Sequence, residues 1–100
     1  MPPKLPYVVY RVTFPNGKIY IGKDIGGLGH SLRYFGSLDN ATVEADFTSE
    51  QLLSFTLRKD ILFTSQDRHE VTRMESLLIR RYRSYDPDVG YNRTHRKKSP

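Results

Sequence analysis

The chain has 100 residues, which is enough for one small domain with a modest core. Hydrophobic residues make up 37% of it and charged residues 27%, a balance that excludes a fully disordered chain. No apolar run approaches a membrane span, the start "MPPKLPYVVY" lacks the apolar region of a signal peptide, and there is no cysteine. We therefore expect a soluble, intracellular protein of the cytoplasm, without disulfides, a thiolate metal site or a membrane partner.

The net charge of +5 arises entirely in the C-terminal third. Residues 1–67 carry seven basic and seven acidic residues, whereas residues 68–100 carry nine basic and four acidic residues. Arginine predominates in the second part, and its planar guanidinium group matches phosphate oxygens. Two interpretations follow: a solvated helix face with a basic tail, or a nucleic-acid surface.

A β-hairpin is predicted near the N-terminus. Residues 7–14, "YVVYRVTF", and residues 18–22, "KIYIG", are rich in β-branched and aromatic residues and flank the turn sequence "PNG". Pro15 suits the second position of a type I turn, Asn16 the third, and Gly17 the left-handed position that follows. The sequence therefore predicts a three-residue loop with a glycine bulge.

The turn decides which strand residues face each other. A three-residue loop pairs Tyr10 with Gly22 and Val12 with Tyr20, so the two tyrosines share one face of the hairpin. A two-residue Asn-Gly loop would shift the register by one residue and separate them. We expect the second strand to end at Gly22, because the next residues, "KD", are poor strand formers.

Further along the chain, one long loop and three regular elements are predicted. Residues 25–47 are rich in Gly, Ser, Asn and Asp and predict a loop with a short helical turn near residues 31–34. Thr48 or Ser49 would cap a helix over residues 49–59, with an apolar side of leucines and Phe55. Residues 61–64 predict a third strand.

The clearest helix spans residues 67–84. Asp67 is suited to cap it, with Glu70 three residues later in the pattern of a capping box. Within this helix Glu75 lies on the same face as Leu78 and Tyr82, at the edge of the apolar stripe. A buried carboxylate is costly unless it is paired or binds a metal.

Two interpretations of Glu75 remain open on these grounds. It is either a boundary glutamate paired with Arg33, Arg58 or Lys23, or the ligand of a metal ion. One carboxylate completed by water molecules would suit Mg²⁺.

The order of these motifs carries a family resemblance. "VVY" ends at Tyr10, "YIG" spans residues 20–22, an arginine follows in the loop, Glu75 lies in a later helix, and "GYN" ends at Asn92. This order resembles the GIY-YIG nuclease family, which includes homing endonucleases, restriction enzymes and DNA-repair nucleases. "RYFGS" at residues 33–37 resembles phage-encoded members, so the expected setting is a bacterium or a phage-infected host.

The resemblance implies a metal-dependent DNA endonuclease that hydrolyses phosphodiester bonds with one Mg²⁺ or Mn²⁺ ion. Glu75 would bind the metal, and Arg33 would stabilise charge on the transition state, with Arg58 as the alternative arginine. Tyr10 and Tyr20 would lie together and help a water molecule attack. Because the reference pKa of tyrosine is about 10, a cation such as Lys23 or the metal itself is expected beside them to favour the phenolate.

Around this centre the resemblance implies Gly22 and Asn92, and the positions of other polar and basic residues in the sequence add further candidates. The residues expected to support the site are Gly22, Lys23, His30 and Asn92. The residues expected to contact DNA are Lys23, Arg58, Arg80, Arg81, Arg93 and Arg96. An alternative of the same fold is a catalytically inactive nucleic-acid-binding module, which the basic C-terminal third would serve equally well.

Our expectation for the whole chain is a single GIY-YIG-like domain of the α/β (α+β) class over residues 1–93, with a basic tail over residues 94–100. A small three-stranded, mainly antiparallel sheet would be flanked by helices. The substrate would be duplex or branched DNA. Specificity would come from the long loop, the tail, dimerisation or an accessory protein.

Overall fold

The computed structural model describes residues 6–25 and 40–92. They form a three-stranded antiparallel sheet and three helices, which confirms the predicted α+β class. In chain order the elements are β1 (Tyr7–Thr13), β2 (Ile19–Asp24), α1 (Asn40–Glu44), α2 (Ser49–Leu53), β3 (Arg58–Ser65) and α3 (Arg68–Tyr82). None of the described helices is long and apolar enough to cross a membrane.

The sheet has the order β2-β1-β3, so β1 is its central strand. This place matches the sequence of β1, "YVVYRVT", since a central strand buried on both faces favours β-branched and aromatic residues. Val9 and Val12 of β1 point to opposite faces and are both fully buried. One residue of β3 bulges where it passes β1 between Val9 and Tyr10.

The hairpin has the predicted turn and register. The Phe14 N–H donates to the Lys18 carbonyl oxygen at 2.9 Å, and the Gly17 N–H donates to the Phe14 carbonyl oxygen at 2.9 Å. Gly17 has φ +87°, the left-handed conformation that the bulge requires. As a result Tyr10 pairs with Gly22, as predicted.

The sheet has two unlike faces, which we name by what they carry. The tyrosine face presents Tyr10 and Tyr20 together with Val8, Val12 and Phe14, and α1 and Tyr91 cover it. The helix face presents Val9 and Ile21, which pack against Val71 and Ile79 of α3. Alternation along β2 places Tyr20, Gly22 and Asp24 on the tyrosine face and Ile19, Ile21 and Lys23 on the helix face.

Several predicted boundaries were wrong. β2 continues through Asp24, because its pairing with β1 extends to Val8 and outweighs the low strand propensity of "GKD". The helix predicted over residues 49–59 ends at Leu53, and residues 58–59 belong to β3. The predicted apolar side of that helix therefore does not form: Leu53 is 88% exposed, while Phe55 packs on the tyrosine face from the segment between α2 and β3.

A short helix was missed in the region predicted as a loop. α1 lies at residues 40–44, and its Val43 belongs to the core of the tyrosine face. Its sequence, "NATVE", is too short to show helical periodicity, so the helix depends on the burial of Val43 rather than on a local pattern. The helical turn predicted near residues 31–34 lies outside the described residues.

The long helix α3 begins as predicted, but its cap differs in detail. Asp67 accepts a hydrogen bond from the His69 N–H at 2.9 Å. Glu70 does not close a capping box on the described contacts; its carboxylate instead accepts from the Ser65 hydroxyl at 2.6 Å. α3 ends at Tyr82, and its C-cap residue Arg83 adopts the left-handed conformation with φ 59°.

Gly22 is expected to be intolerant of a side chain because the Tyr10 ring covers it. A Cβ atom at position 22 would lie 2.5 Å from the Tyr10 hydroxyl oxygen. Gly22→Ala should therefore lower the free energy of unfolding by about 1–3 kcal/mol, measured by urea denaturation. In a Tyr10→Leu background this loss should shrink, because the colliding ring is gone.

Gly17→Ala provides the control for that experiment. Nothing lies within 4 Å of its added Cβ, so its cost comes from the left-handed backbone alone. The cost of Gly17→Ala should be the same in the wild-type and the Tyr10→Leu backgrounds. If Gly22→Ala lowers the free energy of unfolding by the same amount in the wild-type and the Tyr10→Leu backgrounds, the proposed collision is contradicted.

Candidate active site

The two motif tyrosines share the tyrosine face, as predicted. Tyr10 projects from the central strand and is completely buried, whereas Tyr20 projects from β2 and is 9% exposed. The Tyr10 ring leans from β1 across Gly22 of β2. Gly22 is thus small because an aromatic ring occupies its side-chain space.

Two charged residues that the sequence analysis missed lie near Tyr10. The Lys59 Nζ lies 4.2 Å from the centroid of the Tyr10 ring. Asp24 is 4% exposed, and its charge attracts Lys59. The sequence prediction ended β2 at Gly22. A predicted strand two residues longer would have placed Asp24 on this face, by the alternation of Tyr20, Gly22 and Asp24. Lys59 carried no comparable signal, because its position depends on how β3 pairs with β1.

Glu75 lies on the face of α3 that packs against the sheet. It is one helical turn from Val71 and one from Ile79, both of which are buried. Burial raises the pKa of the Glu75 carboxyl above its ordinary value, and the weaker attraction of Lys23 opposes that rise. Of the two pairing partners that the structure describes, Lys23 and Arg58, Lys23 is the one whose charge acts on Glu75.

Lys23 does not stand beside the tyrosines, contrary to expectation. Its Nζ donates to the Thr72 hydroxyl of α3 at 2.9 Å, so its side chain lies on the helix face. The reason is the alternation of β2, in which Lys23 and Tyr20 point to opposite faces. The structure therefore brings together Tyr10, Tyr20 and Gly22 on one side of β2, and Glu75 and Lys23 on the other.

Asn92 joins these two sides at the outer edge of β2. Its side-chain oxygen accepts from the Ile21 N–H at 2.6 Å, and its Nδ2 donates to the Ile21 carbonyl oxygen at 2.7 Å. The preceding backbone runs parallel to β2, with Tyr91 N–H donating to the Ile19 carbonyl oxygen at 2.9 Å. The amide of Asn92 thus extends a strand-like pairing and completes the hydrogen bonds of Ile21.

The predicted DNA-contacting arginines are placed only in part. Arg58, Arg80 and Arg81 are exposed, and Arg58 Nε lies 3.2 Å from the Asp60 carboxylate. Four of the predicted site residues lie outside the described part of the chain: His30, Arg33, Arg93 and Arg96. The choice between Arg33 and Arg58 as the catalytic arginine stays a prediction.

The residues around Glu75 fit one kind of metal site. Among residues 6–25 and 40–92 no group of three or more His, Asp or Glu side chains could hold a metal ion. A site built on Glu75 would therefore have one protein carboxylate and several waters, which suits the strongly hydrated Mg²⁺ ion or Mn²⁺. Burial disfavours the charged form of the Glu75 carboxyl and so raises its pKa, and a bound cation would stabilise that charged form.

Comparison of this chain with models of protein families, with curated proteins and with solved structures yields no match. The resemblance to the GIY-YIG family therefore stays a hypothesis carried by the motif residues.

The hydrogen bonds of Asn92 should contribute strongly to stability. Asn92 is 3% exposed, so Asn92→Ala would leave the N–H and C=O of Ile21 buried and unpaired. We expect a loss of about 2–4 kcal/mol in the free energy of unfolding, measured by urea denaturation. Asn16→Ala is the matched control: it removes an exposed amide that also makes two hydrogen bonds, one accepted from the Lys18 N–H and one donated to the Tyr91 hydroxyl, but neither of these bonds is fully buried, so it should cost less than half as much. Equal losses for the two variants would contradict the role assigned to Asn92.

The metal-free protein should lose stability through Glu75 as the pH rises. Because the pKa of Glu75 is raised on folding, the unfolded chain releases this proton first, and folding becomes less favourable from the ordinary value of 4.5 up through the folded pKa. Glu75→Gln lacks this loss. In EDTA the variant should melt at a higher temperature than the wild type at neutral pH, and at the same temperature in acid.

The matched control is Glu50→Gln, which alters an exposed glutamate in the first turn of α2. It should leave the melting temperature unchanged at both pH values. Added Mn²⁺ should stabilise the wild type and not Glu75→Gln. A Glu75→Gln protein that melts below the wild type at neutral pH in EDTA would refute the effect of burial on this carboxyl.

Proposed function

We propose that this protein is a metal-dependent endonuclease that hydrolyses phosphodiester bonds of duplex or branched DNA. The observation that carries the proposal is the gathering of the motif residues around one strand. Tyr20 and Gly22 lie in β2, Tyr10 packs against it, Asn92 is hydrogen-bonded to its edge, and α3 places Glu75 on its other side.

In the proposed reaction Glu75 would hold Mg²⁺ or Mn²⁺. The bound ion would polarise the scissile phosphate and neutralise charge on its oxygens. Tyr20, the more exposed of the two tyrosines, would orient the attacking water through its hydroxyl. Tyr10 would keep Tyr20 and Gly22 in register by packing, and Asn92 would hold the edge of β2 in place against them.

The transition state also requires a cation for the developing charge. Arg33 is the first candidate and Arg58 the second. The exposed Arg80 and Arg81 would contact the flanking DNA backbone, and such contacts make binding weaken as salt increases.

One observation favours the second candidate function, a nucleic-acid-binding module without catalysis. The tyrosines and Glu75 lie on opposite faces of the sheet, so a phosphodiester would have to reach both at the edge of β2. A binding module needs no such convergence, because basic side chains are enough for phosphate contacts.

Plasmid nicking with purified protein separates the two functions. With Mg²⁺ or Mn²⁺ we expect conversion of supercoiled to open-circular DNA, and Glu75→Gln should slow it by at least about 100-fold, because a bound metal contributes several kcal/mol to such reactions. Tyr20→Phe should also slow it, whereas Glu50→Gln should cleave at the wild-type rate.

Nicking that is equal in wild type and Glu75→Gln would identify a contaminant and refute the assignment. Salt-dependent DNA binding without any nicking would favour the binding module instead.

A further inference from the structure

The Lys59 ammonium lies against the tyrosine pair. Lys59 is the second residue of β3 and lies opposite Val12 in the pairing with β1, which directs its side chain to the tyrosine face. There its Nζ lies 4.2 Å from the centroid of the Tyr10 ring, and the residue is partly buried. In the part of the chain that the structure describes, Lys59 thus holds the place beside Tyr10 that was expected of Lys23.

The environment of Lys59 disfavours its charged form on balance. The buried carboxylate of Asp24 attracts the ammonium, which raises the pKa of Lys59. Removal from water lowers that pKa by more, and the net direction is downward from the ordinary value of 10.5. An ammonium in this setting gains from a further anion, and at a partly desolvated position that attraction is stronger than in bulk water.

We propose that Lys59 binds a phosphate of the nucleic-acid substrate beside Tyr10, with Asp24 holding the ammonium in position. The proposal rests on the proposed function for its nucleic-acid substrate, and it adds a residue that the motif comparison did not assign. Lysine acts on phosphate as a compact point charge, so it needs no fixed fork geometry. The phosphate would thereby be held on the side of β2 that carries both tyrosines.

Lys18 offers a closely matched control. It also lies on the tyrosine face, with its Nζ 5.5 Å from the centroid of the Tyr91 ring and 2.9 Å from the Asp46 carboxylate. Like Lys59, it is therefore a lysine with one aromatic ring and one carboxylate beside its ammonium group. It differs in position, since it lies at the turn end of the hairpin.

The test measures binding of a short fluorescent DNA duplex in EDTA across a series of salt concentrations. Lys59→Gln should reduce the slope of log affinity against log salt by about one unit, the value for one lost phosphate contact. Lys59→Arg should keep the slope, and Lys18→Gln should match the wild type. Where Lys59→Gln fails to fold, Lys59→Met, which retains the apolar stem over Tyr10, should give the same reduction.

A folded Lys59 variant with the wild-type slope would overturn the proposal, as would an equal reduction by Lys18→Gln. Cleavage is scored separately, with Lys59→Gln expected to nick plasmid DNA about 10- to 100-fold more slowly. If the wild type never nicks DNA but Lys59→Gln still reduces the salt slope of binding, the proposed endonuclease activity is refuted and the phosphate contact is still supported. Nicking that Lys59→Gln leaves unchanged would overturn the contact near the reacting phosphate.

Discussion

The hydrogen bonds that close the Pro15-Asn16-Gly17 turn set the arrangement of the whole candidate site. They hold Phe14 against Lys18 and so decide the register of β1 with β2. A strand alternates its side chains between two faces, and a slip of one residue would exchange the faces of every residue in β2. Tyr20 would then leave Tyr10, and Lys23 would leave Glu75.

The same alternation divides the charges of the site between the two faces. Lys23 and Asp24 are neighbours in the chain, yet Lys23 faces Glu75 of α3 and Asp24 faces Lys59 of β3. Each of these two pairs therefore places one carboxylate and one lysine beside the apolar core, in addition to the ion pairs of Arg11 with Asp60 and of Lys18 with Asp46. In both pairs burial disfavours the charged form of one residue, Glu75 or Lys59, more than its oppositely charged partner favours it. A further ion of opposite charge would therefore stabilise that residue.

The outer edge of β2 connects the tyrosine face with the helix face. Asn92 makes with Ile21 the pair of hydrogen bonds that a neighbouring strand would make, so β2 is held from β1 on one side and from the C-terminal segment on the other. A phosphodiester that contacts both faces would meet a strand fixed in this way rather than a mobile edge. The role of Asn92 is thus structural at the atoms it touches, and its effect on the site would pass through β2.

Local chemistry in the sequence was enough to predict the hairpin, its register and the start of α3. Turn residues, strand formers and a capping aspartate act within a few residues, and they identified the shared face of Tyr10 and Tyr20 without any tertiary information. The same reasoning placed Glu75 at the edge of an apolar stripe, where burial now accounts for its raised pKa. It failed at residues 49–59, where the leucines suggested a helix that pairing of β3 with β1 cuts short.

The amino-acid sequence therefore specifies local features: which residues form the turn, which side chains of the hairpin share a face, and which carboxylate of α3 lies beside its apolar stripe. Long-range packing is what extends β2 to Asp24, brings Lys59 to Tyr10, and turns Lys23 toward Glu75 instead of the tyrosines. The physical reason is distance along the chain. Contacts such as Lys59 with Tyr10, or Asn92 with Ile21, join segments separated by dozens of residues, and they depend on strand pairing and burial that no local pattern encodes.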